Sequence, residues 1–93
     1  MAESIAHLKI EDQIQIIYDA YPRRRDIGAA RKAIKRALAD KEIPGPAAKR
    51  ADTLLRAVHR YNEFVILKRV ERDYIPYPAT WFNRKSYLNG MGM

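Results

Sequence analysis

Seven basic residues fall within the 14 positions of the stretch RRRDIGAARKAIKR, and among them Asp26 is the only acid. Charge at this density favours an anionic partner, and arginine offers planar, bidentate donors that suit phosphate. Three of the arginines also precede a predicted helix, whose free N–H groups and dipole favour an anion at that end. The stretch is therefore the first candidate site for phosphate contact. Its basic residues are Arg23, Arg24, Arg25, Arg31, Lys32, Lys35 and Arg36.

The charge of the chain is unevenly distributed. The 93 residues carry 18 Lys and Arg against 11 Asp and Glu, a net +7. Residues 1–22 contain one lysine and four acids, a net −3, whereas residues 23–36 contain seven basic residues and one acid, a net +6. This polarity indicates a polyanionic partner. Two alternatives stay open: the charges keep a small protein soluble, or they meet an acidic protein.

Further cations and aromatic rings extend the candidate surface. Lys49, Arg56 and Arg60 lie on one side of a predicted third helix and form a second basic row. Near the C-terminus, YIPYPATWFNRKSYL places Arg84 and Lys85 among several aromatic residues. Aromatic rings beside cations are typical of surfaces that stack nucleic-acid bases. The candidate stacking residues are Tyr74, Tyr77 and Tyr87.

No catalytic or metal-binding constellation is evident in the sequence. There is no cysteine, His7 and His59 are isolated, and no glycine-rich phosphate loop is present. Glu11 and Asp12 are expected to favour the start of a helix rather than to transfer protons. For His59, an ordinary surface position and a phosphate or base contact both stay open. The sequence predicts a protein that is not an enzyme and binds no cofactor or metal.

The N-terminus has no basic flank followed by an apolar run, and the apolar runs are far too short for a membrane span. We therefore expect a cytoplasmic protein without membrane contact.

Three amphipathic helices are predicted to position these residues. The first carries an apolar stripe from Ile10 to Tyr21, and Pro22 ends it. Asp26 is a predicted N-cap for the second helix, which runs to about Asp40. The turn EIPGPAA separates it from the third helix, which spans about 46–70. Upstream, Ile5 and Leu8 either extend the first helix or belong to an ordered arm.

The residues after the third helix are predicted to close the core. Residues 74–77 should be extended because Ile75 and Tyr77 precede prolines, and Pro78 can open a short helix, PATWFNRK. We call residues 74–83 the clasp and expect Trp81 to fill the core. The predicted fold class is all-α: a small bundle of three main helices plus a short C-terminal helix, closed by an extended aromatic and proline segment. The prediction is one domain over residues 1–93, with 1–9 and 89–93 as frayed ends.

Two stretches, IIYDAYPRRRDIGAARKAIKRAL and YIPYPATWFN, carry a family resemblance. The chain resembles a small helical module of phage and prophage proteins linked to replication initiation. That family is marked by an aromatic-rich first helix ending in Tyr-Pro, a basic Ala-rich helix and a closing Pro-x-Thr-Trp-Leu-Asn. Phe82 replaces the more usual leucine, and Tyr87 stands where a second tryptophan is common. The matching residues are Tyr21, Pro22, Pro78, Thr80, Trp81 and Asn83.

The resemblance implies a phage or mobile-element setting in a bacterial host cell and a role in DNA replication or its regulation. Together with the basic stretch, it predicts a DNA-binding protein, which could act as a homodimer. The alternative is an interaction module that docks on a replication protein such as a helicase or helicase loader. In that case the apolar end of the third helix should matter more than the arginines: Phe64, Ile66 and Leu67.

Overall fold

The fold class predicted from the sequence is confirmed. The computed structural model of the chain describes residues 4–89, and these residues are helical without any strand. The four α-helices are α1 (Ile10–Ala20), α2 (Ile27–Leu38), α3 (Arg50–Leu67) and α4 (Pro78–Asn83). Three short 3-10 turns accompany them, at Ala47–Lys49, Arg72–Tyr74 and Ser86–Leu88.

Prolines and one glycine set several of the boundaries. Tyr21 is extended, with ψ of 137°, because Pro22 follows it, and α1 ends there as predicted. Gly45 has φ of +98° in the turn before α3, a conformation that favours glycine. Pro46 is followed by a 3-10 turn, so α3 begins later than predicted. Pro78 opens α4 in its first turn, as predicted.

The third helix also ends earlier than predicted, because a Schellman motif stops it. Arg69 adopts a left-handed conformation, with φ of 52°. The amides of Arg69 and Val70 donate to the carbonyls of Ile66 and Val65, at 3.2 and 3.0 Å. The sequence did not signal this stop, since glycine is the usual residue at such a position.

The predicted capping role of Asp26 is wrong. Asp26 does precede α2, but its φ is 52° and its carboxylate makes no capping hydrogen bond. Its side chain is therefore not the group that satisfies the free amides at the start of α2.

The N-terminal arm is packed rather than frayed over the residues that are described. The Ser4 hydroxyl and the Ile5 amide donate to the two carboxylate oxygens of Asp52, at 2.6 and 2.7 Å. The hydrogen bond from Ser4 lowers the pKa of that carboxyl. Ile5 is buried, and its carbonyl accepts from Gln13 at 3.0 Å. Within the predicted frayed ends, residues 1–3 and 90–93 lie outside the described part of the chain.

The core is formed by the clasp and by the stripes that the helical periodicity predicts, except that Ile10, the first residue of the predicted α1 stripe, is exposed. α2 is packed against α1, α3 and, most extensively, α4. Its buried residues on that stripe are small or branched, which permits close approach of the neighbouring helices. The buried residues of the first three helices are Ile14, Ile17, Tyr18, Ala30, Ala33, Ile34, Ala37, Ala51, Leu54, Leu55, Ala57, Val58 and Val65.

Six aromatic rings join the clasp to α1 and α3, and we call them the aromatic cluster. The ring of Tyr21 lies 5.9 Å from that of Tyr61 and 5.6 Å from that of Trp81. Trp81 in turn lies edge-on to Phe82, at 4.9 Å, and is 4 % exposed. Trp81 thus has the core position that the sequence predicts for it. The members of the cluster are Tyr21, Tyr61, Phe64, Trp81, Phe82 and Tyr87.

We expect Trp81→Ala to lower the free energy of unfolding by about 3–5 kcal/mol, because it leaves a cavity in the aromatic cluster. Urea denaturation measures the change. Tyr74→Ala is the matched control, since Tyr74 is 77 % exposed and its loss should change stability little. Equal stability of the two variants would contradict the core position of Trp81.

Candidate nucleic-acid interface

The connector between α1 and α2 holds the extended part of the clasp by two hydrogen bonds. The Tyr21 hydroxyl donates to the carbonyl of Pro76 at 2.7 Å, and the Arg23 guanidinium donates to the carbonyl of Ile75 at 2.9 Å. Burial raises the pKa of Tyr21 far above its usual value, so its hydroxyl stays protonated as a donor. Both interactions join residues more than 50 positions apart in the chain.

Tyr77 lies beside two guanidinium groups rather than beside the cations expected from the sequence. The guanidinium carbons of Arg23 and Arg25 are 4.7 and 5.6 Å from the centre of its ring. Both distances are within the range of a cation–π interaction. Tyr77 remains 39 % exposed, and Arg25 is exposed as well. The clasp therefore carries one accessible aromatic ring with a cation next to it.

Four of the seven residues in the basic stretch have hydrogen-bond or ion-pair partners within the chain: Arg23, Arg24, Arg31 and Arg36. Arg23 is half-buried and holds the clasp. Arg24 forms a long, exposed ion pair with Asp19, at 4.0 Å. Arg31 is half-buried and donates to the side-chain oxygen of Gln15 at 3.0 Å. These contacts reduce the part of the stretch that is available to an external anion.

Lys32, Lys35 and Arg36 are the exposed cations of the basic stretch that lie on α2, and we call them the α2 cation face. All three are exposed, and together with Ala39 they border one open, shallow depression. They lie on the part of α2 that the buried alanine stripe leaves to solvent. Arg36 also donates to the side-chain oxygen of Asn83 at 3.1 Å, an exposed contact that links α2 to α4.

The expected stacking role of Tyr87 is contradicted by its position. Tyr87 is 2 % exposed, and its hydroxyl donates to a carboxylate oxygen of Asp40 at 2.6 Å. This hydrogen bond lowers the pKa of Asp40, and burial raises that of Tyr87. The ring of Tyr87 packs against those of Trp81 and Phe82, each at 6.2 Å. Of the three candidate stacking tyrosines, Tyr74 and Tyr77 remain exposed.

Lys85 is likewise engaged within the chain. Its ammonium donates to Glu42 at 2.7 Å and lies 3.6 Å from Asp40. The hydrogen bond to Glu42 raises the pKa of this lysine. Arg84, in contrast, is exposed. The C-terminal pair of cations is therefore not one basic surface.

The second basic row is exposed but is not a single group, and Lys49 lies in the 3-10 turn before α3 rather than on the helix as predicted. Lys49 and Arg56 lie near Asp52, and both help to lower the pKa of its carboxyl. Arg60 lies instead at a cleft lined by the aromatic cluster. His59 is exposed.

This aromatic cleft was missed by the sequence analysis. It has a volume of about 510 Å³ and is lined by α3, the clasp and the residues that follow α4. Phe64 is 51 % exposed and its ring is stacked with that of Tyr61, at 6.2 Å and 18°. The signal that could have found the cleft is the spacing of Arg60 and Phe64, which puts both on one face of a helix.

Residues 4–89 contain no group of three or more His, Cys, Asp or Glu side chains arranged to hold a metal ion. Over the same residues, no helix has both the length and the apolar character needed to cross a membrane.

Comparison of the chain with protein-family models, curated proteins and solved structures gave no match. The resemblance to phage replication-initiation modules therefore stays a prediction.

We expect Arg23→Ala to lower the free energy of unfolding by about 1–3 kcal/mol, because it removes a charged donor from the half-buried carbonyl of Ile75. Arg24→Ala removes the same charge from an exposed ion pair and should cost about 0–1 kcal/mol. Urea denaturation of the two variants makes the comparison. A loss that is equal in both would show that Arg23 does not hold the clasp.

Proposed function

We propose that this domain binds DNA by contacting backbone phosphates with the α2 cation face. The observation that supports the proposal is the placement of Lys32, Lys35 and Arg36. These three cations are exposed around one depression, and the one hydrogen bond that they make with the described residues is the exposed contact of Arg36 with Asn83. Arg23, Arg31 and Lys85, in contrast, are occupied by contacts within the chain. A chain with a net charge of +7 also attracts polyanions at long range.

The proposed contacts read the charge of DNA more than its sequence. Lysine ammonium groups act as point charges toward phosphate, and this surface has few amide side chains to pair with base edges. Binding of this kind depends steeply on salt, because each phosphate contact releases condensed counterions. Arg25, which lies beside Tyr77 of the clasp, adds a second, smaller cationic site.

The setting that we propose is replication of phage or mobile-element DNA, or its regulation, in the bacterial cytoplasm. The support for this setting is the family resemblance of the two sequence stretches that form the second half of α1, α2 and the clasp. In such a setting a small phosphate-binding domain would hold DNA near a replication protein.

A second candidate function is docking on a replication protein such as a helicase or its loader. It is favoured by the apolar end of α3, where Phe64, Ile66 and Leu67 are 51 %, 69 % and 80 % exposed. Under this candidate the affinity for DNA would not depend on the α2 cation face.

We expect Lys32→Gln combined with Lys35→Gln to weaken binding to a random-sequence duplex and to flatten its salt dependence. Loss of two phosphate contacts should make the slope of log K against log salt shallower by about 1.8. Fluorescence anisotropy with a labelled duplex at several salt concentrations measures both quantities.

The matched control is Lys9→Gln combined with Lys41→Gln. Both lysines are exposed and lie outside α2, and each double variant lowers the net charge by two, from +7 to +5. The control should bind almost as the parent does. Equal loss in both variants would mean that net charge alone attracts DNA, and no duplex binding by the parent protein would favour the docking candidate.

A further inference from the structure

The aromatic cleft combines flat, accessible rings with an exposed cation. Tyr61 and Phe64 are stacked at an interplanar angle of 18°, and Trp81 lies 5.4 Å from Tyr61 at the inner side of the cleft. Arg60 is at the margin and makes no hydrogen bond or ion pair with the described residues. The cleft is thus an apolar site for a planar group, with a positive charge beside it.

The size and polar groups of the cleft suit a small ligand. Its volume of about 510 Å³ lies within the range of roughly 300–1,000 Å³ that is typical of small-molecule sites. Ser86 and Asn89 also line it and can donate or accept hydrogen bonds. An aliphatic side chain of a protein partner would use neither these groups nor the guanidinium of Arg60.

The cleft also adjoins the part of the clasp that lies beside the arginines of the connector between α1 and α2. Pro76 lines the cleft, and the next residue, Tyr77, lies beside Arg23 and Arg25. A nucleic-acid strand with a base in the cleft could therefore place its phosphates near Arg60 on one side and Arg25 on the other. Charge complementarity favours this occupant over an uncharged one.

We infer that the cleft binds an unpaired nucleobase of single-stranded DNA, which contacts the rings of Tyr61 and Phe64 while its phosphate pairs with Arg60. This inference extends the proposed DNA binding to a second site and a second form of DNA. Aromatic side chains stack on bases of any sequence, since every base has a π face. An opened duplex would supply such a strand.

The test is a titration of the full chain with oligothymidylate of about 12 nucleotides, within the usual range for single-strand sites. The chain has one tryptophan, Trp81, and it lines the cleft, so a bound base should change its fluorescence. Phe64→Leu keeps the apolar contact but removes the aromatic face, and should weaken binding by about fivefold or more. Arg60→Gln should make the salt slope shallower by about 0.7.

Two controls make the result specific to the cleft. A strand of the same length without bases keeps the phosphates, so the parent and Phe64→Leu should bind it equally. Because Phe64 is 51 % exposed, Phe64→Leu should also unfold at the same temperature as the parent. If that variant melts early, Arg60→Gln provides the test instead, since Arg60 is exposed.

The outcomes separate this inference from the proposed duplex binding. Single-strand affinity that is the same for Phe64→Leu and the parent, or the same with and without bases, would overturn the inference and leave duplex binding on α2 intact. A loss confined to base-containing strands supports it. The same loss in a protein that binds no duplex would support the cleft and refute the α2 proposal.

Discussion

The hydrogen bond from the Tyr21 hydroxyl to the Pro76 carbonyl is the interaction on which the rest of this structure depends. It lies at the end of α1, inside the aromatic cluster, and ties the first helix to the extended part of the clasp at 2.7 Å. A partly buried carbonyl needs a partner, and a buried tyrosine supplies one that does not ionise at ordinary pH. The clasp in turn brings Trp81 and Phe82 into the core. A small domain without disulfides gains much of its core in this way.

The packing of the clasp against the end of α1 also determines which cations are engaged in the fold and which are exposed. Arg23 follows Tyr21 by two residues and is drawn into the clasp, where it donates to Ile75 and lies beside Tyr77. Helix α2 then begins, and its buried alanine stripe leaves the lysines to solvent. Neighbouring basic residues in the sequence therefore have different roles: Arg23 and Arg31 make contacts within the fold, whereas Lys32 and Lys35 are exposed to solvent. The first pair stabilises the fold, and the second pair is accessible to an anion.

The helices could be predicted because their determinants are local. Apolar residues repeat with the period of a helix, and Pro22 and Pro78 mark the end of α1 and the start of α4. The end of α3 could not, because Arg69 adopts a conformation that is usual for glycine. The exposure of the α2 cation face and of Tyr77 and the core position of Trp81 could be predicted from residue type, whereas their proposed role in binding stays a prediction. The partners of Arg23, Lys85 and Tyr87 are more than 40 positions away, and no local pattern reveals them.

The most direct test of this account is an amide NMR spectrum of the protein during titration with a short DNA duplex. The account predicts saturable, salt-sensitive shifts that are concentrated on α2 around Lys32 and Lys35. The amides of Tyr61 and Phe64 should then respond when single-stranded DNA replaces the duplex. Shifts that map instead to the end of α3 at Ile66 and Leu67, or that spread over the whole surface without saturating, would contradict it.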